Sequence, residues 1–382
     1  MPEAQDNVLR DLLHEVPRLW DFIQPESLSS LLACSMSLRR LVHNYATAIK
    51  VVMRSEPSSA QRIDVIKLLV EGNWMRLRHL RLAFSQRQQM LPWVYKLDLS
   101  AEVISPLING AWPDLTTLDL SWNRLNHEGI AVLAKANWPK LSSLNLTGTD
   151  LHKASIRQLL TASQSTLHSL QCLNLGNNML NRGSVKMLVN SCCAQLTALE
   201  LNKSISTADI GLLTNAHLPL LQHLNVGSKN LQAAGISLLV EGQWPQLKHL
   251  DLRLNDVGWQ GMQYLHQSEW PLLESLDLSY NALGLDACQD LARLKSGWSH
   301  LRHFCLVHCL LTGECIAALL KGDWRSLQHL SLASNSCVVN ELRRLTTAKL
   351  PTLQHLDLGR SSFHCSVKAL IQLASAGWLM LR

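Results

Sequence analysis

The chain has 382 residues, 47% of them hydrophobic, and 35 Lys and Arg against 29 Asp and Glu give a formal charge of +6. That apolar share excludes a disordered chain, and no apolar run reaches the ~18–20 residues of a membrane span. The opening MPEAQDNVLRDLL is polar and acidic where a signal peptide is basic and then apolar. The expectation is a cytoplasmic or nuclear protein, monomeric, with no membrane partner. Residues 1–60 hold six Lys and Arg against seven Asp and Glu, so the positive excess lies beyond them. Spread along the rest of the chain it is too dilute for a nucleic-acid footprint. The ten cysteines form no CxxC pair, which argues against a zinc site or a disulfide framework.

The first predicted elements are helices. In NVLRDLLHEVPRLWDFIQPESLSSLLACSMSLRRLVHNYATAIKVV, Pro25 and Glu26 suit a helix start. Leu28, Leu31 and Leu32 make one apolar stripe. Leu38, Leu41, Val42, Tyr45, Ile49 and Val52 make a second at helical spacing. Residues 1–56 are therefore taken as a small helical module and 57–382 as a separate array. At PESLSSLLACSMSLRRLV the module resembles an F-box, through Pro25, Leu28, Leu31, Leu32, Cys34, Leu38 and Leu41. It departs from that family at Val16-Pro17, where Leu-Pro is usual, and at Leu38, where an aromatic is usual. The resemblance implies docking of the adaptor subunit of a cullin–RING ubiquitin ligase. A plain helical cap over the first repeat uses the same apolar pattern, and both readings stand.

From Leu77 onward a pattern LxxLxL recurs, starting at Leu77, Val94, Leu115, Leu141, Leu170, Leu196, Leu221, Leu247, Leu273, Leu301, Leu327 and Leu353. After two short steps the spacing settles at 25–29 residues. Three residues past each run stands Asn or a small polar side chain, as at Asn123, Thr149, Asn178, Asn255, Asn281 and Asn335. A stretch with apolar residues three and four apart follows, such as HEGIAVLAKANW. One unit is thus a short strand, a turn and a helix. The array resembles leucine-rich repeat proteins, nearest their ribonuclease-inhibitor-like branch. That resemblance implies an α/β solenoid shaped as a horseshoe, with parallel strands on the concave face, helices on the convex one, and about twelve repeats plus a truncated thirteenth beginning at Leu381.

Eight tryptophans (Trp74, Trp112, Trp138, Trp244, Trp270, Trp298, Trp324, Trp378) stand three residues before a repeat leucine, several followed by Pro. Pro ends a helix and pre-sets an extended entry. In other repeats Leu91, Leu167, Cys193, Leu218 or Leu350 fills the slot, so this column is expected to pack rather than bind.

Strand alternation turns the positions between the leucines outward. One outward column reads His223, His249, Ser275, His303, His329, His355, and its neighbour reads Asn225, Asp251, Asp277, Cys305, Ser331, Asp357. Beyond the third leucine most repeats carry small residues, and Arg253 breaks that rule. One step on, Trp122, Leu254, Tyr280 and His308 are large among neighbours such as Gly148 and Ser228. Exposed aromatics and Arg anchor protein interfaces. The partner-binding candidates are therefore Trp122, Arg253, Leu254, Tyr280 and Trp259, with His303 and His329. The adaptor-docking candidates are Pro25, Leu28, Leu31, Leu32, Leu38 and Leu41. No phosphate-binding, dinucleotide, zinc-protease or nucleophile-elbow motif occurs. Cys288-Gln289-Asp290 matches the Cys-x-Asp of some repeat-bearing bacterial ligases but sits on a predicted repeat helix. The expectation is a protein-binding chain without cofactor, metal or catalysis of its own. Its concrete form is the substrate receptor of a cullin-type ligase, and the alternative is a free-standing scaffold or inhibitor-like binder.

Overall fold

The computed structural model describes residues 47–53, 59–71, 74–84, 97–161, 169–191, 193–228, 230–268, 270–292, 298–336, 350–359 and 380–381. The adaptor-docking candidates Pro25 to Leu41 lie outside the described residues, as do Leu91, Val94, Leu167 and Trp378. The chain forms two compact units, Met1–Leu173 and Asn174–Arg382.

Both units alternate parallel strands with helices. In the first, β1 (Ala48–Met53), α1 (Ser59–Glu71), β2 (His79–Phe84), β3 (Leu97–Asp98) and α2 (Ala101–Ile104) lead through a 3-10 turn (Ser105–Asn109) to β4 (Thr117–Asp119). Then follow β5 (Asn123–Arg124), α3 (Asn126–Leu133), β6 (Ser143–Asn145), α4 (Lys153–Thr161) and β7 (Cys172–Asn174). The main sheet of this unit runs β1-β2-β4-β6-β7, and β3 pairs apart from it with β5. In the second unit come α5 (Arg182–Val189), β8 (Ala198–Glu200), α6 (Thr207–Thr214), β9 (His223–Asn225), α7 (Gln232–Leu239), β10 (His249–Asp251) and α8 (Gly258–His266). After them come β11 (Ser275–Asp277), α9 (Leu285–Ala292), β12 (His303–Cys305), α10 (Gly313–Leu319), β13 (His329–Ser331), β14 (His355–Asp357) and β15 (Met380–Leu381). Its strands pair in chain order.

The core follows from the leucine spacing. From β8 to β14 each strand is three residues long with its central side chain buried, and from β9 to β14 the central residues are partners across the sheet: Leu224, Leu250, Leu276, Phe304, Leu330 and Leu356. No single repeat could bury this face alone, and stacking at the ~4.8 Å strand spacing makes the column continuous. The tryptophans close the other side of the core. Trp74, Trp112, Trp138, Trp244, Trp270, Trp298 and Trp324 are all buried. Trp112 stacks on Trp138 at 6.3 Å between centroids, and Trp244 on Trp270 at 6.4 Å. Gly242 lies flat against Trp244, where a Cβ would come within 2.6 Å of the ring.

The residues past each leucine run bind the repeats together. Asn281 donates from Nδ2 to the Leu252 and Leu278 carbonyls at 3.0 and 2.8 Å, and its Oδ1 accepts the Asn255 and Val257 amides. Asn123, Asn255 and Asn335 likewise donate both to their own repeat and to the one before. Ser204 and Cys309 stand in the same column and each donates to a carbonyl of the preceding repeat. A buried side chain with both donor and acceptor is what such a ladder needs.

Three sequence expectations change. The second leucine run adds no strand to the main sheet at Leu97–Asp98: β2 pairs directly with β4, Leu80 opposite Leu118, so the two short steps form one long repeat. Leu99 is buried and its amide donates to the Arg124 carbonyl on the helical side. An alternation of only three residues fits a core-facing turn as well as a strand. Secondly, Ile49 and Val52 belong to strand β1, which pairs with all six residues of β2. Ile49 and Val51 continue the buried leucine columns there, and sheet pairing overrides the helical spacing that the sequence suggests. Lastly, Leu381 pairs with Leu356, the second leucine of its repeat. It therefore extends that column, three positions from the repeat start that spacing assigns it.

Candidate protein-binding face

The sheet face turned away from the helices is built of short rows, each strand contributing two outward side chains and the turn after it a third and fourth. In the second column the side chain serves the backbone. Asn225, Asp251, Asp277 and Asp357 each accept through Oδ1 the amide two residues on, at 2.9–3.0 Å, and Asp119, Asn145 and Asn174 do so in the other strands. The Asp/Asn stripe is thus a set of Asx caps that turn the chain out of the sheet. Sequence reasoning missed this role; the signal was the free exchange of Asp for Asn at one position.

Four of those caps, Asp119, Asp251, Asp277 and Asp357, carry charge that capping does not require. Arg253 grips Asp251 through Nε at 3.0 and 2.9 Å and through Nη2 at 2.6 Å, and its Nε is 3.3 Å from Asp277. The bond to Asp251 holds the guanidinium above its usual pKa, and burial together with the nearby Asp251 raises the carboxyl of Asp277. Arg253 is therefore engaged within its own surface.

One step beyond, the backbone turns left-handed. Trp122, Lys203, Ser228, Leu254, Tyr280, His308 and Ser334 have φ between 54° and 65°. Each amide donates to a carbonyl of the next repeat, Leu254 to Ser279 at 3.1 Å and Tyr280 to Val307 at 2.7 Å. This conformation costs a residue with a side chain about 1–2 kcal/mol relative to glycine, and Gly148 occupies the equivalent position between Trp122 and the later repeats. Leu254 and Tyr280 are 47% and 48% exposed, so burial offsets little of that cost. Tyr280 stands 5.2 Å from the His308 ring. Trp122 differs: it is half-buried, with its ring pressed on Gly148. Trp259, 45% exposed, is on α8 and not in this row.

The histidines of the first outward column form a ladder. His303 stacks on His329 and His329 on His355, each at 4.3 Å with interplanar angles of 13° and 11°; His223 and His249 sit 5.8 Å apart. Burial, and then the neighbouring imidazoles, push His303 and His329 below the ordinary value. Among the described residues no group of three or more His, Cys, Asp or Glu is placed to hold a metal ion. Cys288 is buried on α9 and its thiol is pushed far up by that burial, the opposite of an activated nucleophile. An open groove of about 530 Å³ between α9 and α10 is lined by Leu285, Gln289, Ala292, Glu314 and Lys321 among others. No described helix is long and apolar enough to cross a membrane.

Comparison with known proteins agrees with this geometry. Residues 113–134, 245–265 and 271–292 match the Leucine Rich repeat family. A search of curated proteins finds no match. Among solved structures, a chain from the Rad7 and Elc1 complex in yeast is similar over 99% of this chain and 92% of its own, with 20% identity and a TM-score of 0.59. An internalin (inlF) from Listeria monocytogenes str. 4b F2365 is similar over 92% of each chain, with 15% identity and a TM-score of 0.44. The chain thus carries leucine-rich repeats, folded as parallel strands alternating with helices.

Proposed function

We propose that this chain is a non-enzymatic protein-binding repeat protein, acting as the substrate-receptor subunit of a cullin–RING ubiquitin ligase. The outward sheet face would hold the substrate, and residues 16–42 would dock the adaptor. The observation that carries the binding role is the pair Leu254 and Tyr280, large side chains held half-exposed in a costly backbone conformation.

The receptor role draws on three supports. The F-box-like pattern from Pro25 to Leu41 is one. The position of β1 is another: it lies against β2, so the repeat that starts at Leu77 already has a neighbour. The stripe Leu28, Leu31, Leu32 is then not needed to cover it. A fold shared with a chain solved in a two-protein complex, Rad7 with Elc1, is the third. In this reading the chain performs no chemistry and works by proximity.

The test is a binding titration of the full chain against the ligase adaptor subunit. Saturable binding that is abolished by Leu28→Asp/Leu32→Asp, with the melting temperature of the repeats unchanged, is the expected result. Absence of binding, with the double variant simply less stable, would make the helices a cap and the protein a free-standing scaffold.

A further inference from the structure

Cys288 on α9 and Cys315 on α10 are free thiols on neighbouring helices. The repeat brings their two positions together. Two repeats earlier the same positions are held by Ile236 on α7 and Gly261 on α8, where a Cβ on Gly261 would lie 3.4 Å from Cγ1 of Ile236. A disulfide sets each Cβ about 3 Å from the partner sulfur. Where cysteine fills both positions, the packing of the helices already comes close to that geometry, and the Cys288 thiol is hydrogen-bonded with Cys315. Cys309 is engaged elsewhere: its Sγ donates to the Leu278 carbonyl at 3.2 Å.

The two sulfurs are not equivalent. Thr312, an exposed residue, donates from Oγ1 to Cys315 Sγ at 3.2 Å, and a donated hydrogen bond favours the thiolate. Burial keeps Cys288 as the thiol. Both side chains are buried, which selects a small oxidant over a bulky one. The groove between α9 and α10 runs beside them: Leu285 and Gln289 on one wall flank Cys288 in the chain, and Glu314 and Ala318 on the other flank Cys315.

We infer that Cys288 and Cys315 form an oxidative modification site for peroxide, closing to a disulfide that ties α9 to α10. The Cys315 thiolate attacks one peroxide oxygen and the O–O bond breaks. Sulfur loses two electrons and becomes sulfenic acid, and the departing hydroxide takes a proton from solvent. The Cys288 sulfur then attacks Cys315 Sγ, the S–O bond breaks, and the leaving hydroxide carries off the Cys288 proton as water. Two thiols and one peroxide give one disulfide and two waters. The site is independent of the proposed function.

The experiment treats the reduced full chain with hydrogen peroxide at neutral pH, quenches it with N-ethylmaleimide in denaturant, and maps the unreduced digest by mass spectrometry. A Cys288–Cys315 link within one chain, reversed by dithiothreitol, is the expected product. Hydrogen exchange in α9 and α10 of the oxidised chain should slow by about tenfold. Cys315→Ser and Cys288→Val should abolish the link; Ser184 and Val185 fill the matching positions in α5, so both variants are expected to fold. Cys309→Ser, which follows Ser204 in its column, should keep it. Recovery of Cys288 and Cys315 as maleimide adducts from the oxidised parent chain overturns the inference, as does a link to Cys309 instead. A link that forms equally fast in the urea-unfolded chain also overturns it, because the fold would then not preset the pair.

Discussion

At the scale of single residues, two glycines with the same chemistry have opposite roles. Gly211, within α6, has nothing within 4 Å of where a Cβ would lie, whereas a Cβ on Gly242 would meet the Trp244 ring at 2.6 Å. The Trp244 ring is fully buried and stacked on Trp270, so it cannot step aside. Gly211→Ala should therefore stabilise by about 0.5–1 kcal/mol through helix propensity. Gly242→Ala should cost about 1–3 kcal/mol through overpacking. Urea unfolding of both variants decides it: equal effects would mean that the helix-to-strand return is not packed as described. The tryptophan spacing was legible in sequence. The glycine two residues before Trp112, Trp244 and Trp324 was equally visible but gave no hint of contact until the rings were placed.

At the scale of an element, the histidine ladder couples strands β12, β13 and β14. Its rings stack face to face, so charging one places a cation against its neighbours. Burial, His249, Arg302 and His355 lower His303, while Glu274 opposes; His329 is lowered by burial, His303 and His355. Such a shift gives stability at pH above the unfolded histidine value of about 6.5. As pH falls through that value the unfolded chain takes up protons that the folded ladder resists, and stability is lost. The melting temperature should drop between pH 7.5 and 5.5, and His329→Gln should flatten that slope. A slope unchanged in the variant would place the proton uptake elsewhere. The order of the histidines was readable from the repeat alignment, but their stacking depended on strand register, which sequence spacing set wrongly at Leu97 and at Leu381.

At the scale of the whole molecule, contacts run between neighbouring repeats, and stability should be local in the same way. Leu276 is fully buried between Leu250 and Phe304 in the second unit. Truncating it to alanine should cost about 2–5 kcal/mol. Hydrogen exchange should quicken first in β10, β11 and β12, ahead of β14. Uniform acceleration across the second unit would instead mean one indivisible cooperative block.

By itself the sequence determined the repeat, because one strand-turn-helix unit with a fixed leucine spacing has a single way to bury its apolar face: beside another copy. It determined the tryptophan column for the same reason, and it marked Leu254 and Tyr280 as out of keeping with their neighbours. Tertiary structure decided what depends on pairing between distant residues. The strand at Ala48–Met53 exists because β2 offers an edge whose columns Ile49 and Val51 fill. The Asp251–Arg253–Asp277 cluster exists because parallel register sets two carboxylates beside one guanidinium. Register is a property of two strands at once, and no stretch of one strand contains it.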